Sequence, residues 1–275
     1  MKVLILILLT INIQNSEAFD FKAKLHSVSE GFDQSEAHII KWSNGRVSFV
    51  DASDSEMLET LKSISPDEVM GVSIDKNANL AAMSTLETET ENDQFLSSPD
   101  QEYLPTVLNS EADAQSALQR QRVPSYWQFN IQCYNMAHVR AYEEFKRTGM
   151  KSHKAFLFFT DSYLRNYGGK WWFHVTPMTY VQTNGKAEAR ILDREWISTP
   201  ASTKVWTDKF IRSKKECAIA KKYSDYEMNQ TGQDCYILPA AMYYWQPKDL
   251  IKLESGVMKT EFDMDEVNTA YRLDF

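Results

Sequence analysis

One cysteine directly precedes a predicted helix, a position where its thiol could act as a nucleophile. From Tyr134 to Phe145 the apolar residues recur at a spacing of three and four, and Thr148-Gly149 is typical of a helix end. Cys133 therefore lies at the N-terminus of that helix, where the dipole and unpaired N–H groups stabilise an anion and offer donors to an oxyanion. This position favours a nucleophilic cysteine. The alternative from the same residues is an inert, buried thiol.

A histidine and an aspartate downstream could activate such a cysteine. His174 follows the aromatic residues 171–173 in a strand-like run, and Asn184-Gly185 predicts a turn before a second strand that ends near Asp193. If the two strands pair, Asp193 could orient the imidazole of His174, which would serve as general base. The pattern predicts a Cys-His-Asp triad. A structural histidine and a turn aspartate remain the alternatives.

The other histidines are weaker candidates for the base. His138 is five residues after Cys133 on the same helix and so faces elsewhere, and His153 lies in a polar, basic turn. His26 and His38 belong to the N-terminal part of the chain.

Three short motifs occur in a fixed order: Cys133-Tyr134 with Ala137-His138, then His174-Val175, then Arg190-Ile191-Leu192-Asp193. Their order and spacing resemble the protein-glutaminase family, secreted bacterial protein-glutamine deamidases made as pre-pro-enzymes. The resemblance extends over about residues 125 to 255. It implies that Cys133 is the nucleophile, His174 the base and Asp193 its orienting acid.

The resemblance also implies a reaction and its partners. The substrates would be proteins or peptides with an accessible glutamine, whose side chain is hydrolysed to glutamate through a thioester, with release of ammonia. No metal or organic cofactor would be required. In that family the pro-region occupies the cleft until proteolysis removes it, so the chain's own pro-domain is expected to act as an intramolecular inhibitor.

Two further residues are candidates for the substrate cleft. Gln132 stands where relatives tend to have a small residue before the cysteine, and it could donate to the oxyanion or simply be solvated. Trp172 could form a wall of the cleft, although core packing is the alternative for such a residue.

Other functions remain compatible with these residues. A cysteine protease or a transglutaminase-type acyl transferase would use the same triad and form a similar acyl-enzyme, and only the cleft and the acceptor would distinguish them. A secreted binding protein without catalysis is the alternative from another class, with Cys133 a buried thiol.

Changes in composition divide the chain into four parts. Residues 1–18 combine Lys2, an apolar stretch and a small-residue pattern ending at Ala18, which predicts a signal peptide. Residues 19–84 predict a small ββαββ pro-domain, and the polar residues 85–121 a protease-accessible linker. Residues 122–275 hold most of the aromatic side chains and predict the catalytic domain. We expect an α+β fold, with a helix packed on an antiparallel sheet, similar to the papain and transglutaminase-like architecture.

Cysteine usage and charge restrict the compartment and the partners. Cys217 and Cys235 lie close together in a polar region, and we expect them to form a disulfide that leaves Cys133 free. The net charge of -8 gives no basic surface for nucleic acid. No segment after the signal peptide is long and apolar enough to span a bilayer. We therefore expect a secreted or periplasmic monomer that is not held in a membrane after cleavage.

Overall fold

The structure is a computed structural model that describes residues 19–30, 37–66, 68–88, 103–124 and 131–275. The predicted signal peptide and most of the first half of the predicted linker lie outside the described residues. No helix within the described ranges is long and apolar enough to cross a membrane.

The N-terminal region, defined here as the described residues of 19–88, is an antiparallel sheet with one helix. Its strands lie in the order β3-β2-β1-β4-β5. Asp54 begins the helix by accepting a hydrogen bond from the Met57 N–H at 3.1 Å. The elements are β1 (Phe21–Ser29), β2 (His38–Trp42), β3 (Val47–Val50), α1 (Ser55–Ser63), β4 (Glu68–Ile74) and β5 (Leu80–Thr88).

The prediction of a ββαββ unit omitted the central strand of this sheet. The two predicted hairpins and the helix between them are present, but β1 pairs with both β2 and β4, so the order is βββαββ. Phe21 and Ala23 alternate with polar residues and are buried, which is the pattern of a strand with one covered face. The alternation does not continue along the strand, because residues 24–28 are all partly buried and the pairing shifts between Leu25 and Ser27.

The C-terminal region, defined as the described residues of 103–275, has helices packed on a second sheet. This sheet has the order β10-β11-β7-β8-β6, with β9 paired to β8, and all its pairings except β10-β11 and β6-β8 are antiparallel. The predicted α+β class is confirmed. The elements are β6 (Val107–Leu108), α2 (Glu111–Arg120), α3 (Cys133–Thr148), β7 (His153–Phe159), α4 (Asp161–Tyr167), β8 (Phe173–Thr183), β9 (Lys186–Ile191), α5 (Thr203–Thr207), β10 (Ala218–Ile219), a 3-10 turn (Tyr223–Asp225), β11 (Cys235–Ala241), α6 (Pro247–Glu254) and α7 (Met264–Asp274).

Part of the segment predicted as a linker belongs to this second sheet. Within 85–121, β6 pairs in parallel with β8, and α2 buries Ala114, Ala117 and Leu118. These three residues have helical spacing, but most of their neighbours are polar, so composition alone suggested a linker. Residues 107–120 are therefore part of the C-terminal region.

Helix α3 and strands β7 and β8 share an aromatic core. Phe156, Phe158 and Phe173 are fully buried in a cluster that also includes side chains of α3. Ile39 and Val47 of the N-terminal region belong to the same cluster, so the two regions share part of one core. Burial of this apolar surface stabilises their association.

The predicted cysteine pairing is present. Cys217 and Cys235 form a disulfide with a Cα–Cα distance of 4.7 Å, which connects the residue before β10 to the first residue of β11. Cys133 is the free cysteine and is buried.

Backbone hydrogen bonds join the N-terminal region to the segment just before β8. The Val47 N–H donates to the Lys170 carbonyl at 3.0 Å, and the Trp172 N–H donates to the Gly45 carbonyl at 2.9 Å. Gly45 has a φ of +87°, and a Cβ there would lie 3.0 Å from the Phe173 ring. A side chain at position 45 would therefore be strained and crowded.

A fully buried ion pair lies in the same interface. Lys41 Nζ is 2.5 Å from Asp161 Oδ1, and both side chains are inaccessible to solvent. Burial lowers the pKa of Lys41 more than Asp161 raises it. Nearby, the His26 ring stacks on Trp172 with 4.4 Å between ring centroids. Burial, together with Lys41, lowers the pKa of His26 to about 4, so His26 is neutral at neutral pH.

Candidate active site

Cys133 is the first residue of α3 and lies at the base of a cavity. Gln132, in extended conformation, precedes the helix, and its side chain makes no capping hydrogen bond. Its backbone N–H instead donates to Asp274 Oδ2 at 2.9 Å. This side chain of α7 thereby holds the backbone at the start of α3. Only 7% of Cys133 is exposed. The thiol is therefore shielded from solvent at the helix N-terminus, where the first backbone N–H groups have no partner within the helix.

The β8-β9 hairpin brings His174 and Asp193 together. Asn184 and Gly185 both have positive φ, which suits the tight turn between the two strands. Ile191, the last residue of β9, pairs with Met178, and Asp193 lies two residues further on. His174 Nε2 is 2.8 Å from Asp193 Oδ2.

His174 also hydrogen-bonds Cys133, so the three predicted residues form one connected group. Because Nε2 is bonded to Asp193, the other ring nitrogen, Nδ1, is left for the thiol. Burial lowers the pKa of His174, but the Asp193 carboxylate and then Cys133 outweigh it and raise that pKa to about 10. The imidazole is therefore positively charged at neutral pH, next to the sulfur.

Two aromatic residues complete the surroundings of His174, and sequence reasoning missed both. The indole Nε1 of Trp206 donates to Asp193 Oδ2 at 2.7 Å, so this oxygen has two partners. The Phe210 ring lies 4.9 Å from the imidazole, centroid to centroid. Both residues follow the hairpin in and after α5. No local pattern relates them to His174, because their contacts depend on how the chain returns over the sheet.

Trp172, predicted as a cleft residue, does not line the cavity. It is fully buried, and its Nε1 donates to the Trp42 carbonyl at 2.9 Å in the interface with the N-terminal region. The neighbouring Trp171 lines the cavity instead. Gln132 is not among the lining residues either, although it lies between two of them, Ile131 and Cys133.

The two rival histidines lie away from the thiol. His138 is fully buried, with its Nδ1 2.6 Å from Lys154 Nζ, and burial followed by Lys154 lowers its pKa well below 6.5. His153 Nδ1 is 3.0 Å from the Tyr180 hydroxyl. Neither residue lines the cavity of Cys133.

The cavity beside Cys133 has a volume of about 530 Å³. Its walls are mainly aromatic, and three cations lie on its rim. Its lining residues are Ile131, Cys133, Met136, Phe159, Tyr163, Tyr167, Gly168, Gly169, Lys170, Trp171, His174, Trp196, Lys209, Phe210 and Arg212. In the part of the chain that the structure describes, no group of three or more His, Cys, Asp or Glu side chains is arranged to hold a metal ion.

A cysteine at a helix N-terminus, bonded to a histidine that an aspartate orients, is the arrangement of enzymes that activate a thiol for acyl transfer. Residues 108–210 match the family model described as Glutaminase. This segment contains Cys133, His174 and Asp193, so the match includes all three candidate site residues. The resemblance inferred from the sequence motifs is confirmed.

Two solved structures share the fold. The chain is similar to the crystal structure of pro- protein-glutaminase, with a TM-score of 0.50 and 12% sequence identity over 82% of this chain and 83% of that one. A mutant of pro- protein-glutaminase matches with a TM-score of 0.51 and the same identity and coverage. The NMR structure of protein-glutaminase from Chryseobacterium proteolyticum aligns with 61% of this chain and 86% of its own, at 15% identity and a TM-score of 0.38. No curated protein sequence matched the chain.

Proposed function

We propose that this protein hydrolyses the side-chain carboxamide of glutamine in proteins or peptides, giving glutamate and ammonia. One observation carries the proposal: Cys133 and His174 line one cavity, and the buried Asp193 hydrogen-bonds His174, within the segment that matches the glutaminase family. The fold shared with pro- protein-glutaminase is consistent with it.

The reaction follows from the state of the three side chains. The Cys133 thiolate attacks the carboxamide carbon, and the oxygen becomes an oxyanion that backbone N–H groups at the start of α3 stabilise. The His174 imidazolium, which Asp193 keeps protonated, then donates its proton to the departing nitrogen, so that ammonia leaves and a thioester remains.

Water completes the cycle. Neutral His174 takes a proton from a water molecule, the hydroxide adds to the thioester carbon, and collapse of this adduct releases glutamate and restores the thiolate. Asp193 stabilises the imidazolium at both stages and fixes its orientation. Each step is a proton or acyl transfer, so the mechanism uses no metal or organic cofactor.

We also propose that the architecture is related to that of papain and the transglutaminases. In support, α3 carries the nucleophile and packs on β8, which carries His174, while the antiparallel partner β9 leads to Asp193. The same thioester would form in a protease or in a transglutaminase-type enzyme, and only the bond attacked and the acceptor would differ.

The chain is further proposed to be a secreted or periplasmic, monomeric pro-enzyme, with residues 1–18 as signal peptide, 19–84 as pro-domain and 122–275 as catalytic domain, to which residues 107–120 contribute β6 and α2. Cleavage would occur in the polar segment that precedes β6. The N-terminal region packs against residues 170–173, beside the wall of the cavity, which is a position from which it could inhibit the site.

Ammonia release from a glutamine-containing protein tests the function. The linker-cleaved enzyme and its Cys133→Ala variant are compared, and mass spectrometry follows each substrate glutamine for a gain of about one dalton, the mass change of carboxamide hydrolysis. Release that requires Cys133 and leaves the backbone intact supports deamidation. New peptide ends would indicate a protease, and crosslinks a transglutaminase-type enzyme.

A binding protein without catalysis would give none of these products. Its Cys133 would also resist iodoacetamide at about pH 6, since an ordinary thiol titrates near 8.5. Rapid alkylation under these conditions would argue against that alternative.

A further inference from the structure

Positive charge is concentrated at the rim of the cavity. Lys170, Lys209 and Arg212 line it and are exposed, and none of the described lining residues is an aspartate or glutamate. The chain as a whole has a net charge of -8, so this cluster is opposite in sign to the average surface.

The carboxylates near these cations in sequence are engaged elsewhere. Asp208, next to Lys209, is 2.5 Å from Lys204 Nζ. Asp161, on the helix whose far end reaches the cavity, pairs with Lys41. Within the described residues, the three rim cations form no ion pair with an acidic side chain of their own chain. The charges of Lys209 and Arg212 are therefore available to whatever enters the cavity, whereas Lys170 also borders a second cavity that Asp20 and Asp75 line.

The aromatic walls strengthen this charge. Tyr163, Trp196 and Phe210 line the same cavity as the three cations and the thiol. Apolar walls of low dielectric constant focus the field of neighbouring charges, which raises the local concentration of oppositely charged groups. Aromatic walls can contact many kinds of side chain. The charged rim is therefore the part of the cavity that distinguishes substrates by the residues that flank their glutamine.

We infer that the cavity selects glutamine residues in acidic segments, with Lys170, Lys209 and Arg212 binding carboxylates that flank the glutamine. This inference rests on the proposed function and adds the class of substrate to it. Arg212 can hold a carboxylate through two parallel N–H bonds, whereas the two lysines act as point charges. The same rim would repel a glutamine that has lysine neighbours.

Three short peptides test the preference, each with a central glutamine flanked on both sides by glutamate, alanine or lysine. The full chain, cut in the linker with both pieces present, is assayed for ammonia release from each. We expect kcat/KM for the glutamate peptide to exceed that for the lysine peptide by about three- to tenfold at low salt, as for exposed charge pairs. The ratio should fall toward one at about 0.5 M salt, where such pairs are screened.

Charge reversal assigns the preference to the rim. Lys209→Glu and Arg212→Glu should each lower the ratio of the two rates by about two- to fivefold. Lys186→Glu is the matched control with the same change of charge. Lys186 pairs with Thr183, nine residues along β8 from His174, or about 30 Å at the rise of a strand, so this variant should keep the wild-type ratio.

Binding of the same peptides to Cys133→Ala measures the preference without chemistry, and the order should be glutamate, alanine, lysine. Equal rates and equal affinities for the three peptides would overturn the inference while leaving deamidation in place. The inference would also be overturned if Lys186→Glu lowered the ratio of kcat/KM for the glutamate and lysine peptides as much as Arg212→Glu does. No ammonia from any peptide or protein would refute the proposed function, and the inference with it.

Discussion

At the scale of single residues, Asp193 joins two side chains of the candidate site through hydrogen bonds. Its side chain is almost completely buried, and its Oδ2 accepts hydrogen bonds from both His174 and Trp206. A buried carboxylate is stable only when it is paired and hydrogen-bonded. Here the imidazolium of His174 supplies the charge and the indole supplies the second donor, so the charge state of His174 depends on Asp193.

Asp193→Asn should shift the alkaline limit of activity toward neutral pH. Without the carboxylate, burial dominates and the pKa of His174 falls from about 10, so the proton needed by the leaving nitrogen is lost at lower pH. We expect kcat/KM at neutral pH to fall on the order of 10²- to 10⁴-fold. A profile of kcat/KM against pH checks both effects, and an unchanged alkaline limb would contradict the assignment.

Stability should show the same linkage. A raised histidine pKa adds stability that is fully present below the unfolded value of 6.5 and is lost as the pH rises through about 10. In the wild-type chain the free energy of unfolding should therefore decline across this window. Asp193→Asn should show less of this decline.

Trp206→Phe tests whether the indole positions Asp193. The substitution keeps an aromatic ring but removes the N–H that donates to Oδ2 at 2.7 Å, so the carboxylate is free to rotate. We expect kcat to fall by about tenfold, the effect of one lost hydrogen bond to a charged group, with little change in KM.

Trp42→Phe is the matched control for this prediction. Trp42 is also fully buried, and its indole donates to Ser48 Oγ at 2.9 Å in the N-terminal region. Both variants should lose similar thermal stability, but only Trp206→Phe should change kcat. Equal kcat values for the two variants would show that Trp206 is purely structural.

At the scale of elements, the start of α3 depends on the end of α7. The Asp274 carboxylate accepts the backbone N–H of Gln132, directly before Cys133, and the nearby Asn135 side chain also favours its charged form. Burial raises the pKa of Asp274 despite these two groups. The last turn of the chain therefore fixes the position of the cysteine, more than one hundred residues earlier in sequence.

Asp274→Ala should loosen this connection. It leaves the Gln132 N–H without its acceptor, which costs about 1–3 kcal/mol when the group is buried. We expect a lower melting temperature and a changed rate of Cys133 alkylation by iodoacetamide. Asp274→Asn retains a carbonyl acceptor, so its melting temperature and alkylation rate should lie between those of the wild type and Asp274→Ala. Asp265 is exposed on the same helix, and Asp265→Asn should behave like the wild type. If Cys133 of Asp274→Ala is alkylated at the wild-type rate, α7 does not position the cysteine.

At the scale of the whole molecule, a buried ion pair joins the two regions. Lys41→Met leaves Asp161 buried without its counter-charge, and such a loss costs about 3–5 kcal/mol. The double variant Lys41→Met/Asp161→Asn removes both charges and should recover most of that stability. Urea unfolding measures the free energy of each variant.

An exposed ion pair provides the control for this cycle. Lys62 and Glu59 lie 2.9 Å apart on α1 with most of their side-chain surface in solvent. Lys62→Met should leave the free energy of unfolding nearly unchanged. A double variant no more stable than Lys41→Met would mean that the two charges are not coupled.

The sequence by itself determined the features that depend on neighbouring residues. The spacing of apolar side chains predicted the helix that Cys133 begins, and Asn184-Gly185 predicted the hairpin that carries His174. The short sequence separation of Cys217 and Cys235 favoured their pairing. Helical and strand periodicities and turn preferences act over a few residues, so they can be read directly from the chain.

Only the tertiary structure decided the features that depend on residues far apart. Trp172 contacts Trp42 across 130 positions and is therefore buried in an interface rather than in the cleft. Packing of the elements likewise decided three other features. These are the hydrogen bond from the Trp206 indole to Asp193, the packing of α2 beside the second sheet, and the cations at the rim of the cavity. Such contacts depend on the shapes and the burial of surfaces that meet only in the folded chain, and local periodicity contains no information about which surfaces these are.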